Sequence, residues 1–482
     1  MKVSNKRHLQ AACIGLLVGA LMGCGATSNT ARPSTGLASA GGGGTGGGAA
    51  ATGSGITGGA TGASTVNVNF AASNIDSLLA NLDMLSTQIA GASLSPTRIV
   101  RGTFGGGIGV RAAVIQGYRA TNGQLTLLAK DPNAVTPGQG NIILTNANTT
   151  GVDLINPFDL LADTVNVGDL FATNNFGTGN IGSLVRITGI TTTTAVIEQV
   201  SAVANLFNPI SIARDGTFVY VAEFGGAGVG QIRRFDLTDP VNPVVDVLIS
   251  GLQFPSSLAM DTTGGRRTLY VAINNAPLGV GQGGVLRLNL ADAGVDDDGT
   301  DDLAEAQTEG WARVVTPQEA GAPGQHQFPF DLAIDDAGNV VVCEGGAFDA
   351  GTGQFTGGQG FGRLRVIERG QGDPTVVAPT SRLVLQGDGG PNGFSNLRGP
   401  SVIIESPDNN VNTVFFVEGV GQTSTLRQVT FNNQTGAIFR HLILHSGEIN
   451  PLDTEFDPID TINVKYSAGS NTPNQGRVID VR

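Results

Sequence analysis

One tryptophan, four histidines and three cysteines in 482 residues leave few groups on which covalent or metal chemistry could be built. Three cysteines cannot supply a disulfide framework. Two of them, Cys13 and Cys24, lie close to the N-terminus, so Cys343 stands alone in an apolar run and reads as a small buried residue. Bases are also short, with 27 Lys and Arg against 40 Asp and Glu, and they form no patch that would neutralise phosphates. Nucleic acid is therefore not an expected partner. No Ser-His-Asp spacing, phosphate-binding loop or Cys-His cluster is present, which removes covalent hydrolase and nucleotide-dependent readings. The apolar run Ala11 to Met22 is too short for a transmembrane helix.

Glycine is what the chain has in quantity, 72 residues, and much of it falls between short alternating apolar segments. That combination suits tight turns joining strands and argues against a helical protein. The stretch from Asn208 to Leu237 sets the pattern. A proline leads a short apolar segment, Asp215-Gly216 makes a turn, a second strand ends on Glu223, and after further glycines a third runs from Gln231 to Leu237. The same grammar begins at Pro157, Pro209, Pro255, Pro329, Pro400 and Pro451, with insertions lengthening the two intervals from 255 to 400. A fourth apolar segment follows five of these copies, for example Val244 to Ile249, and four strands per repeat is the arrangement of a β-propeller blade.

The expectation is an all-β, six-bladed propeller. The last copy ends at Arg482 after three strands, so its outer strand must come from elsewhere, with Gln124 to Leu128 or Asn141 to Leu144 placed to supply it. These two, with the β-like segments Arg98 to Phe104 and Val110 to Tyr118, could close the ring or form part of an extra blade. The pattern P-x-x-[LI]-A followed by D-x-x-G-x-[VL]-[YV]-V-[AC]-E resembles the NHL repeat and the related six-bladed propellers of the gluconolactonase and streptogramin-lyase type, over roughly residues 156–482. The resemblance is specific for fold and weak for activity.

Ahead of the propeller region (96–482) the chain divides into three. Residues 1–23 begin with Lys2, Lys6 and Arg7 and read as a signal peptide, whose Leu21-Met22-Gly23-Cys24 resembles a bacterial lipobox with Cys24 as the lipid-modified residue. The localisation expected is export followed by lipid anchoring in the bacterial cell envelope, with the membrane as one partner. Residues 24–65 are a disordered Gly, Ala, Ser and Thr tether with a root-mean-square reach of ~35 Å. Within 66–95, Ile75, Leu78, Leu79, Leu82, Leu85 and Ile89 give an amphipathic helical stripe that would pack on the propeller.

Three sets of residues could carry chemistry. Between the third and fourth repeats, Asp296, Asp298, Thr300, Asp302 and Glu305 keep part of an EF-hand register, with Gly294 where its first Asp belongs, and make a candidate calcium loop. The repeats also place Asn174, Glu223, Asn274, Glu344, Glu418 and Ser467 after their second strands. Asp159, Ser211, Ser257, Asp331, Val402 and Asp453 stand two residues after their prolines, where inner strands meet at a channel mouth. Converging carboxylates there could bind a divalent metal or hold a proton. The resemblance to gluconolactonase-like propellers, which hold a central metal with a Glu, Asn and Asp set, singles out Glu223, Asn274, Asp331 and Glu344. Resemblance to streptogramin lyases would make His326 a general base.

The functional expectation is a cell-envelope scaffold that binds a protein, glycan or small-molecule ligand. The competing one is a metal-dependent, lactonase-like hydrolase or a lyase, using Glu223, Asp331, Glu344 or His326 with calcium or another divalent ion.

Overall fold

The computed structural model describes Thr87–Gln88 and, with breaks between strands, residues 96–481. Among the described residues the strands form seven antiparallel units of four. Thr149–Gly151 adds in parallel to the second unit and Leu206–Phe207 pairs with its third strand, while the fourth and fifth are joined through a parallel pair between Ala312–Pro317 and Thr380–Gln386. The inner strands of the seven units are Pro96–Phe104, Leu160–Ala162, Pro209–Asp215, Pro255–Asp261, Pro329–Ile334, Arg398–Ser406 and Pro451–Asp457. Each inner strand packs beside that of the following unit, and the seventh packs beside the first. The result is a closed, propeller-like ring.

The count corrects the six expected from sequence. Residues 96–145 are not spare strands for closing the last blade but a complete blade, Pro96–Phe104, Val110–Gln116, Gln124–Ala129 and Ile142–Thr145. Its signature is worn, because the second strand ends on Gln116 where later repeats carry Glu, Asn or Ser, and Arg98 stands where they carry Asp, Ser or Val. The last blade is indeed completed by the N-terminal side of the chain, but by Thr87–Gln88, which pairs antiparallel with Arg477–Val481. Thr87 and Gln88 lie inside the stretch expected to be helical and are strand. The rest of that stretch, with the signal peptide, Cys24 and the tether, falls outside the described residues.

Alternation along each strand divides its side chains between two neighbouring blades. In Phe218–Glu223, Val219 and Val221 pack with Phe171, Leu184 and Leu206 of the second blade, while Tyr220 and Ala222 pack with Leu269 and Val271 of the fourth. Both faces are therefore dry, and the strand reads as a nearly unbroken apolar run. The single tryptophan, Trp311, lies in the contact between the third and fourth blades, where its indole N–H donates to Glu309 at 3.0 Å. The insertion after the fourth blade's third strand ends in a helix, Leu303–Glu309, which buries Leu303 and Ala306 in the same contact.

Blade entry follows one rule. Asn156, Asn208, Phe254 and Phe328, each immediately before a leading proline, all have positive φ, from 46° to 54°. Asn tolerates the left-handed region, but Phe adopts it only when surrounding contacts hold it there. Phe254 is held by a ring contact with Phe224, centroids 4.9 Å apart, and by burial. The proline then lies flat against a glycine of the preceding blade: Pro157 on Gly123, Pro209 on Gly182, Pro255 on Gly230 and Pro329 on Gly283. A Cβ at Gly182 or Gly230 would stand 2.5 Å or 2.6 Å from the proline Cδ. The Gly230→Ala variant should accordingly lose about 1–3 kcal/mol of stability through overpacking. Gly370→Ala, where a Cβ meets nothing within 4 Å, should be near neutral, as denaturant unfolding of both would read.

Candidate channel-mouth site

Immediately after five of the leading prolines the pairing register slips, between Pro96 and Arg98, Pro209 and Ser211, Pro255 and Ser257, Pro329 and Asp331, and Pro451 and Asp453. Such a bulge re-aims the side chain that follows it. The expected inner-strand set is thereby brought to the blade junctions, where it forms a circumferential ladder. Asp159 Oδ2 accepts the Ile212 N–H at 2.7 Å, Ser211 Oγ accepts the Leu258 N–H at 3.1 Å, and Ser257 Oγ accepts the Leu332 N–H at 3.2 Å. Each of these polar groups thus accepts from a buried main-chain donor of the next blade; leaving such a donor unsatisfied would cost about 1–3 kcal/mol, although the Leu332 N–H is shared with Asp331 Oδ1. For Val402 and Asp453 the strands are described but not the side chains.

Arg98 occupies the equivalent place in the first blade. Its Nε lies 3.2 Å from Asp159 Oδ1 of the second blade and its Nη1 lies 3.6 Å from Asp331 Oδ2 of the fifth. Asp331 Oδ1 in turn accepts the Ser257 hydroxyl at 2.8 Å and the Leu332 N–H at 2.9 Å. Burial raises the pKa of Asp159, against the lowering influence of the Arg98 charge and of its main-chain donors. Sequence reading missed Arg98. The signal was there in Pro96-Thr97-Arg98-Ile99, a leading proline with an apolar residue three places on, and Thr97 donates to the Pro157 carbonyl at 3.5 Å much as Ser256 donates to that of Pro329 at 3.2 Å.

The acids after the second strands pair with bases of their own blades, and Glu223 also takes a main-chain N–H from Leu206–Phe207, which pairs with the preceding blade. Glu223 accepts from Arg233 Nε at 2.7 Å, from Gln231 Nε2 at 3.1 Å and from the Phe207 N–H at 3.0 Å. Asn174 does the same for the second blade, taking the Ile155 N–H at 2.6 Å and donating to the Asp153 carbonyl at 2.8 Å. Glu344 and Arg365 form a fully buried ion pair at 2.9 Å, and Glu418 pairs with Arg427 and accepts from Thr425 Oγ1 at 2.9 Å. In all three Glu blades the arginine lies on the third strand, two residues beyond the position opposite the acid. The structure therefore does not assemble Glu223, Asp331 and Glu344 into one cluster. Asn274 lies outside the described residues, among which no group of three or more His, Cys, Asp or Glu could hold a metal.

His326 is fully buried, with its Nε2 2.9 Å from Ser381 Oγ. Burial and then the charges of Arg365 and Arg363 hold its pKa well below the usual histidine range. The imidazole is thus engaged with Ser381 and buried, where the lyase-like expectation required a base open to the channel. Of the calcium register, Asp296, Asp298 and Thr300 lie outside the described residues. Asp302 caps the helix Leu303–Glu309, its Oδ1 accepting the Glu305 N–H at 2.9 Å. Cys343 is buried, and burial with the nearby Asp331 and Glu344 charges raises its thiol pKa well above the ordinary value.

No family model matches the chain, and no curated protein matches it. Solved structures with similar shape include an oxidoreductase of the glucose dehydrogenase kind from Thermus thermophilus, at 14% identity and TM-score 0.40 over 68% of this chain and 96% of that one. Another is Sqt1 from Chaetomium thermophilum, bound to the N-terminus of ribosomal protein L10, at 14% identity and TM-score 0.45 over 79% and 84%. A third is an ulvan lyase of a polysaccharide lyase family, at 10% identity and TM-score 0.45 over 82% and 96%. One is named an oxidoreductase, one is bound to a peptide terminus and one is named a lyase, so no chemistry passes from them to this chain.

The buried histidines make a pH prediction. Burial, with Arg427 nearby, lowers the pKa of His441 to about 3, and its Nε2 lies 3.3 Å from Arg427 Nη1. The folded state thus holds this ring neutral while the unfolded state takes up a proton below about pH 6.5. Stability contributed by the neutral ring should be complete above that value and fall as pH drops toward 3. The loss from this group between pH 6.5 and 5 should be on the order of 1–2 kcal/mol. His441→Gln should flatten that slope in denaturant titrations at the two pH values.

Proposed function

We propose that the protein is a lipid-anchored envelope scaffold whose propeller presents its loops to a protein, glycan or small-molecule ligand. One observation supports this reading over a catalytic channel. The recurrent acids are matched, blade after blade, to the same kind of internal partner: Glu223 to Arg233, Glu344 to Arg365 and Glu418 to Arg427. A carboxylate fixed by an arginine of its own blade serves folding, and the fold is left to carry function on the segments between strands. Cys24 would hold the chain at the membrane and residues 24–65 would lift the propeller from it. Calcium at the loop from Asp296 to Glu305 would be a structural addition to that scaffold.

Four measurements test the reading. Cys24→Ser should move the protein from the membrane fraction to the soluble one, and unchanged retention would count against lipidation. Removing one arginine from a buried pair costs about 3–5 kcal/mol, so Arg365→Met should destabilise the fold far more than Arg233→Met, whose pair is partly exposed. On a glycan and peptide array, the Glu223→Gln protein should keep the wild-type binding pattern. A metal-dependent lactone hydrolysis that disappears in Glu223→Gln or Glu344→Gln at unchanged stability would replace the scaffold with the hydrolase.

A further inference from the structure

We propose that Arg98 is the resident cation of the central channel, a built-in guanidinium that occupies the place between blades where converging carboxylates would otherwise take a metal or a ligand cation. The ladder of inner-strand side chains consists of acceptors, Asp159, Ser211 and Ser257, each serving a main-chain N–H of the following blade. Arginine has only donors. Placed at the same position of the first blade, it cannot serve the second blade as an acceptor and reaches carboxylates instead. One is Asp159 on the adjoining blade, and the other is Asp331 on the fifth, which is not a neighbour of the first in the ring. A contact between non-neighbouring blades must cross the channel.

Asp159 and Asp331 are buried and are already positioned by main-chain and hydroxyl donors, so their carboxylates stay in place whether or not the guanidinium is present. Two fixed, partly desolvated anions repel one another, and Asp331 is among the influences that raise the Asp159 pKa. The guanidinium relieves that repulsion from within the chain. Its side chain is one-third exposed, 32%, as a group bridging an aqueous channel would be. Arg98 also joins the first blade to the far side of the ring, whereas the last blade is completed by only the two residues Thr87–Gln88. This role is independent of what the outer loops bind.

The experiment is thermal unfolding of the full chain as wild type, Arg98→Ala and Arg98→Ala/Asp331→Asn, each titrated with methylguanidinium. Arg98→Ala should unfold several degrees lower than wild type, and methylguanidinium should return part of the loss with a saturable dependence. Neither the wild type, whose site is filled, nor the double variant, which lacks one carboxylate, should respond in that way. An equal response in all three proteins, or an Arg98→Ala variant as stable as wild type, would overturn the proposal. Should Arg98→Ala fail to fold, Arg98→Lys combined with Asp331→Asn in a double-mutant cycle reads the same bridge. Coupling between these positions, on blades that do not touch, is expected, and additive losses would refute it.

Discussion

The seating of a proline on a glycine of the preceding blade is the contact on which the ring depends. Blades can pack closely at the channel only if their backbones approach there, and the Cδ positions leave no room for a side chain at Gly182 or Gly230. The same geometry requires the residue before the proline to turn into the left-handed region, which Asn156 and Asn208 do at little cost and Phe254 and Phe328 do under burial. The proline has no N–H, so it suits a position where the ladder is interrupted, and the bulge that follows aims the next polar side chain into the junction. Packing, backbone conformation and hydrogen bonding are thus solved together at the blade entries of Pro209, Pro255 and Pro329.

The opposite end of the inner strands repeats the principle with charge. Asp163, in the turn after the second blade's inner strand, pairs with Arg214 of the third at 2.5 Å, and Asp215 of the third pairs with Arg267 of the fourth at 2.5 Å. Asp335 of the fifth accepts from Asn412 of the sixth. Asp163 and Asp335 also take main-chain N–H groups of their own turns, Asp163 from Val165 and Asn166 and Asp335 from Ala337 and Asn339. An acid that both closes a turn and reaches the next blade sets the angle between blades as well as the hairpin. It follows that much of the negative charge in the repeats belongs to the architecture.

Fold was legible in the sequence where the signal was a local rule. The leading prolines at 209, 255, 329 and 451, the Asp-Gly turn at 215–216 and the alternating strands before Glu223 and Glu344 stand where the spacing placed them, whereas Pro400 lies inside its strand, Arg398–Ser406. The four strands of the first blade were legible as β-like segments, but their membership of an extra blade was not, since Gln116 and Arg98 stand where the repeat has Glu, Asn or Ser and Asp, Ser or Val. The closing strand was hidden for another reason. Thr87 and Gln88 lie beside Leu85 and Ile89 of an amphipathic stripe, and a two-residue strand is too short for its own periodicity to outweigh that of its neighbours.

The site was less legible than the fold because a carboxylate at a repeated position looks the same whether it faces a ligand or an arginine. What separates the cases is the residue two places beyond the cross-strand partner, and that pairing is visible only once the register is known. With register in hand the sequence can be read again. Arg233, Arg365 and Arg427 are each the complement of a specific acid, and the fully buried Glu344–Arg365 pair is the extreme case, with both charges withdrawn from water together. Arg98 departs from this pattern, for the strands of its own blade carry no acid and it reaches carboxylates on two others. Its position follows from the ring as a whole, where those of Arg233, Arg365 and Arg427 follow from a single hairpin.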